Sequence, residues 1–231
     1  MAEPRHPGEI LARAVAYPYA APLCSFLQTG AHASELREDE LDLEGREALL
    51  AYGANASPPV LARKLAGLPP TPLPVISAEL DGFDVVYSAH ISPYGAVPST
   101  LQRSHGTTVP VFVLHPTPEQ LARLSATEPN YELRELGALE LRTEMGEPPR
   151  HPRAYVSRHG CLALAEAEVA LAAIVGAGRR FAAMGEVEVL DHVRHLLAPE
   201  LDLERFVESS LDPGMAAART TVLRGNAIPL R

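Results

Sequence analysis

Two short segments of this chain carry side chains whose types and spacing suit chemistry. The first, Tyr52-Gly53-Ala54-Asn55, lies between an apolar run and a proline-opened helix. A loop entering a helix offers backbone N–H groups without intrahelical acceptors and the positive end of the helix dipole, a seat for a carboxylate. Gly53 lets a ligand approach the backbone closely, and Asn55 tolerates unusual dihedrals while supplying an amide. The second is Glu128, which follows Leu124-Ser125-Ala126-Thr127 and precedes Pro129-Asn130-Tyr131. A carboxylate beside an amine can take a proton from it and return one to a leaving group. The same carboxylate can instead close a structural hydrogen-bond network. Tyr94, in Pro93-Tyr94-Gly95, reads either as a pocket wall or as a turn residue.

Other chemistry is thinly represented. Lys64 is the only lysine among 20 Lys+Arg, so imine chemistry would have to use it. The chain has no Walker-type phosphate loop, no G-x-S-x-G elbow, no H-E-x-x-H, no C-x-x-C, and no G-x-G-x-x-G after a strand. His192 and His195 share a helix face but lack an accompanying carboxylate motif, so no metal site is expected. His90, His105 and His115 stand at strand ends or in loops and could meet in space. Gly176-Ala177-Gly178 before Arg179 and Arg180 suits an anion or, as expected here, an ordinary loop. Cys24 and Cys161, the two cysteines, are too few for a disulfide framework; one bridge is possible, and buried reduced thiols are the expectation.

The elements that would position these groups follow from periodicity. Residues 8–17 have helical spacing, stopped by Pro18 and Pro22. Residues 35–47 form an acidic, solvated connector. A core strand is expected over 47–55, then a helix from Pro58 with Ser57 at its N-cap. Strands over 75–80 and 83–90 flank Asp81-Gly82, a hairpin signal. A short strand near 97–102 and a clear one over 108–115 follow, with a loop between. Thr117, Pro118 and Gln120 compose a capping box with proline at N1, opening a helix that ends near Glu128-Pro129. Strands are expected within 131–144, over 153–157 and, ambiguously with helix, over 161–174. Helices over 185–197 and 202–210, the latter capped by Asp202, close the pattern.

The 231 residues are 46% hydrophobic, 21% charged and 5% aromatic, enough to bury one substantial core. The net charge of −9 makes nucleic acid and anionic membrane poor partners. The N-terminus breaks its apolar stretch with arginines and prolines, unlike a signal peptide, and nothing approaches a membrane span. A cytoplasmic protein is the expectation. Its fold class is expected to be α+β, a small mixed β-barrel with flanking helices. The organisation expected is an N-terminal extension (1–46) on or near the core, a main domain (47–200) and a C-terminal helical extension (201–231).

The order of these features resembles the γ-glutamylcyclotransferase-like superfamily. AYGAN at 51–55 stands where that family has a YGSN-type loop. The helix PPVLARKL, the strand segment ISAELDGFDVVYS and the stretch GAVPSTLQRSHGTTVPVFVLHPTPEQLARLSATE follow in the family's order. The resemblance covers roughly residues 47–200, and its specificity lies in order rather than in any one motif. It implies conversion of a γ-glutamyl compound into 5-oxoproline with release of the amine, without metal or cofactor. Glu128 would be the acid/base. Tyr52, Gly53, Ala54 and Asn55, with Tyr94 and Tyr131, would bind a small substrate through its carboxylate. Ala54 stands where the family has serine, and Pro129 where many members have glycine. Those two departures suit an alternative, a non-catalytic binding or interaction module that keeps the fold and pocket.

Overall fold

The computed structural model describes residues 6–137 and 139–230. Residues 1–5, Ala138 and Arg231, which belong to the expected N-terminal extension, the 131–144 strand region and the C-terminal extension, lie outside the described residues. In chain order the elements are α1 (Pro7–Val15), β1 (Phe26–Thr29), β2 (His32–Glu35), β3 (Leu49–Ala51), α2 (Pro58–Lys64), β4 (Leu73–Tyr87), β5 (Ser99–Leu114) and α3 (Pro118–Ala126). Then come β6 (Tyr131–Glu135), β7 (Leu141–Thr143), β8 (Arg153–Ser157), β9 (Ala163–Leu164), β10 (Ala167–Leu171), β11 (Ala182–Met184), α4 (Glu186–Leu197), α5 (Leu203–Ser209) and α6 (Pro213–Gly225).

The fold is mixed α+β, but the sheet is open. Its strand order is β11-β10-β4-β5-β3-β8-β6, with β1 and β7 also on β4, β2 on β1 and β9 on β10. The expected closed barrel does not form, because β6 pairs only with β8 and β11 only with β10. Pairing is antiparallel except for β3 with β8 and β10 with β11.

The expected hairpin at Asp81-Gly82 is also corrected. β4 runs straight through it, paired with β5 from Val75↔Leu114 to Tyr87↔Ser99. The register shifts between Asp81 and Phe83, and Gly82 takes φ +78°. A glycine in the left-handed region serves a bulge as well as a turn, and here it adds twist without ending the strand. The expected loop at 103–107 likewise belongs to the single long β5.

Apolar packing forms two clusters on opposite faces of the sheet. Leu49, Ala51, Leu61, Leu114, Leu121 and Leu124 meet where α2 and α3 lie. Leu50, Val111 and Val113 point the other way, to a larger cluster with Ile10 and Ala14 of α1, Leu190 of α4 and Phe206 of α5. Burial on both faces explains why β3 reads as a continuous apolar run instead of alternating. The N-terminal segment is thus part of the main core, with Tyr17 and Leu36 buried in it. The acidic connector is mostly exposed and holds one turn of tight helix, Glu38–Glu40.

Helix ends follow the sequence unevenly. Thr117 and Gln120 make the reciprocal capping box of α3, and Asp202 caps α5 by accepting from Arg205 N at 2.8 Å. Ser57 occupies the N-cap of α2 with Pro58 next, but its buried side chain makes no capping bond. Cys24 is exposed, against expectation, and Cys161 is buried; no disulfide joins them. Among the described residues no helix is long and apolar enough to cross a membrane.

Candidate active site

β3 ends at Ala51, and the chain turns at Tyr52-Gly53 into a tight helical turn, Ala54–Ala56, before α2 begins. The amides of Ala54 and Asn55 open that turn and have no acceptor within it. Gly53 is where the backbone approaches other atoms most closely. A Cβ there would sit 2.7 Å from the Tyr17 hydroxyl and 2.8 Å from Ser99 Oγ. Those two hydroxyls are themselves bonded at 2.7 Å, and Ser99 N donates to the Tyr17 oxygen at 2.8 Å. The requirement for glycine is therefore close packing, since its φ of −146° is open to any residue.

Glu128 stands in the turn that joins α3 to β6. Its N–H donates to Ser125 O at 3.1 Å and its carbonyl accepts from Tyr131 N at 3.1 Å. From that turn the carboxylate reaches Asn55. Oε1 accepts from Asn55 Nδ2 at 2.9 Å and from Lys64 Nζ at 2.5 Å, while Lys64 also donates to Asn55 Oδ1 at 2.8 Å. The sole lysine thus completes a triangle with the two residues singled out by sequence. Both side chains of the ion pair are largely enclosed, 13% and 14% exposed. All contacts fall on Oε1. Oε2 takes no hydrogen bond from the described residues and is not sealed from solvent.

A cavity of about 430 Å³ opens over this triangle. Tyr52, Gly53, Ala54, Asn55, Tyr94, Glu128 and Tyr131, all of the sequence-derived positions, line it together. The structure adds residues that local sequence did not mark: Arg13, Tyr17 and Tyr19 from the N-terminal segment, Arg63 and Lys64 from α2, and Arg123 from α3. Four cationic side chains face one carboxylate there, in a chain whose net charge is −9. Arg123 donates to Lys64 O at 2.9 Å and Ala66 O at 3.1 Å, tying α3 to the end of α2 and holding the lysine in place.

The tyrosines form a framework of neutral phenols. Burial drives Tyr17, Tyr52, Tyr94 and Tyr131 upward from the ordinary phenol range, and Tyr155 to about 12. Each of these can donate a hydrogen bond at neutral pH. Tyr52 donates to the Tyr155 carbonyl, Tyr131 to Ser99 O at 2.9 Å, and Tyr155 shares a 2.8 Å bond with Ser125. These bonds fix β3, β5, β8 and the end of α3 around Glu128.

His90 borders the cavity but is not the acid. Burial, helped by His159, pushes it down to about 3, so the ring is neutral. It shares a 2.6 Å bond with Ser88 Oγ and packs at a tilt against His159, ring centroids 4.8 Å apart; His105 is exposed, and His115 belongs to another part of the core. Arg179 from the glycine-flanked loop is engaged with buried Asp84, consistent with the plain-loop expectation. Among the described residues no group of three or more His, Cys, Asp or Glu is arranged to hold a metal. No family model matches the chain, and neither a curated protein nor a solved structure matches it.

Proposed function

We propose that the chain is a γ-glutamylcyclotransferase-like enzyme that closes a γ-glutamyl amide or amine to 5-oxoproline and releases the amine. The observation that carries this reading is the meeting of Glu128 with the Tyr52–Asn55 turn in one cationic cavity. Ring closure forms a bond from the α-nitrogen to the carbonyl carbon of the γ-amide and breaks the bond from that carbon to the leaving nitrogen. The α-ammonium gives up two protons and the leaving amine gains two. Glu128 suits that relay through Oε2, the oxygen its neighbours leave unbonded. Lys64 and Asn55 hold Oε1 and so fix the plane of the carboxylate. The turn amides and the surrounding cations suit the substrate carboxylate, which would hold the substrate folded for attack. The same reading makes the protein a cytoplasmic enzyme acting on small molecules.

A specific observation favours the alternative of a binding module. Lys64 Nζ already sits against Glu128 at 2.5 Å, where a substrate ammonium would have to approach, and Ala54 lacks a hydroxyl. Mass-spectrometric detection of 5-oxoproline separates the two. Wild type and Glu128→Gln would be incubated with γ-glutamyl amino acids, γ-glutamyl amines and glutathione. Product from wild type alone supports the enzyme. A ligand that raises stability by about 2.7 kcal/mol at 100 times its Kd, with no product from any compound, supports the binding module.

A further inference from the structure

The well-buried arginines of this protein are spent. Arg179 bonds Asp84 and the carbonyls of Leu171 and Ile174, Arg194 bonds Asp191 and the Leu201 carbonyl, and Arg219 bonds Ser209, Ser210 and the Phe206 carbonyl. The two cavity arginines outside the Glu128 cluster are different. Arg13, half-buried at the end of α1, makes no ion pair among the described residues; its Nε is enclosed without an acceptor, and its guanidinium lies against the Tyr19 hydroxyl. It also lies over the face of Tyr94, with Cζ 5.6 Å from the ring centroid. A cation over an aromatic face is oriented without losing its donors. Arg63, in the last turn of α2, likewise has no carboxylate partner among the described residues.

Tyr19 stands between them. Its hydroxyl is enclosed, and the rise that burial imposes on it is opposed by Arg13, through a hydrogen bond and its charge, and by the charge of Arg63. Its φ is +70°, a conformation that a bulky residue keeps only where surrounding structure imposes it. Tyr17 and Tyr94 pack on the ring at 6.2 and 5.9 Å. Two guanidiniums without a carboxylate partner among the described residues, with a phenol beside them, share a cavity with a carboxylate that Lys64 already pairs, and so describe a receptor for negative charge.

We propose that Arg13, Arg63 and Tyr19 form a second anion subsite, which selects ligands whose released amine carries an anionic group, a dianionic phosphate above a carboxylate and a carboxylate above none. The choice of leaving amine rests on the γ-glutamyl reading; the anion subsite does not. Two guanidiniums match a dianion in charge, and each can bond it in bidentate fashion.

Calorimetric titration of O-phosphoethanolamine, β-alanine and ethylamine tests the subsite without requiring turnover. Wild type is expected to bind O-phosphoethanolamine about tenfold or more tighter than ethylamine, with β-alanine between them and the preference shrinking as salt rises. Arg13→Gln and Arg63→Gln should each flatten the series, while Glu128→Gln keeps it. Equal binding of the three amines by wild type, or a series unchanged in both arginine variants, overturns the subsite. Thermal melting of each variant shows whether it is folded; should Arg13→Gln fail, the conservative Arg13→Lys is the second probe, expected to keep part of the phosphate preference. The γ-glutamyl amides of the same amines are then assayed for 5-oxoproline. Absence of product with the binding series intact removes the cyclotransferase reading alone.

Discussion

Lys64–Glu128 and Arg179–Asp84 are ion pairs of nearly equal enclosure, with side-chain exposures of 13% and 14% against 12% and 0%. Their bonding differs. Arg179 Nε reaches both Asp84 oxygens, at 3.1 and 3.0 Å, while its outer nitrogens serve two backbone carbonyls. Asp84 Oδ1 also accepts from Val85 N at 2.8 Å. That pair is saturated and joins β4 to the loop after β10. At Lys64–Glu128 every contact converges on one oxygen, and the other is left beside a cavity. Enclosure alone therefore does not distinguish the two pairs; the bonding capacity left on Glu128 does.

Removing one partner of each pair is the strongest way to break that contrast. Burial outweighs the guanidinium at Asp84 and holds its carboxyl above the usual range, so the pair adds little net stability. Breaking it still strands a buried guanidinium. Asp84→Asn is expected to cost about 3–5 kcal/mol in urea unfolding. Glu128→Gln, open to the cavity, should cost less, about 1–3 kcal/mol, and lower turnover about 10²–10⁴-fold. Equal losses of stability with turnover preserved would put both pairs in the structural class.

Lys64 sharpens the contrast next. As a positioning residue it acts through Oε1, so Lys64→Ala should lower kcat about 10²-fold with little change in KM. Added ethylammonium should restore part of that loss, since a small cation can refill the gap. A purely structural lysine would show no such rescue. Gly53→Ala tests the packing beside it. The new methyl would collide with the bonded Tyr17 and Ser99 hydroxyls, at an expected cost of about 1–3 kcal/mol in stability.

What sequence could and could not show divides along the same line. Elements set by local chemistry were legible: the Thr117–Gln120 box, the Asp202 cap, and β8 over its whole length. The open sheet was not, because closure depends on whether distant edge strands meet. Asp81-Gly82 carried a true local signal, but a partner strand alongside both halves turned it into a bulge. α6 was missed although Asp212 and Pro213 gave it a cap and an N1 proline; its alanine-rich interior has weak periodicity. The Glu128 and Asn55 positions came from residue order. The lysine between them was noticed only as the sole one of its kind, and its place shows only once α2 packs against α3. Arg13 and Tyr19 had no local signal, since what marks them is the cavity they share with residues distant in sequence.

Acid unfolding gives the finest separation, because His90 lines the cavity yet bonds like the structural pair. Its ring is fully enclosed, held to Ser88 and packed against His159 and Tyr131. Burial pushes it down to about 3, and His115, buried beside Arg46, down to about 4. An unfolded histidine titrates near 6.5, so between that pH and these lower values the unfolded chain binds more protons. Stability therefore rises with pH across the window and falls on acidification, by about 1.4 kcal/mol per pH unit for each histidine. The loss attributable to His115 should level off near pH 4, and that of His90 nearer pH 3. His90→Asn should remove its share of the slope in urea titrations between pH 6 and 4. An unchanged slope would mean that His90 takes up its proton in the folded protein, and the cavity wall would then hold a titrating group after all.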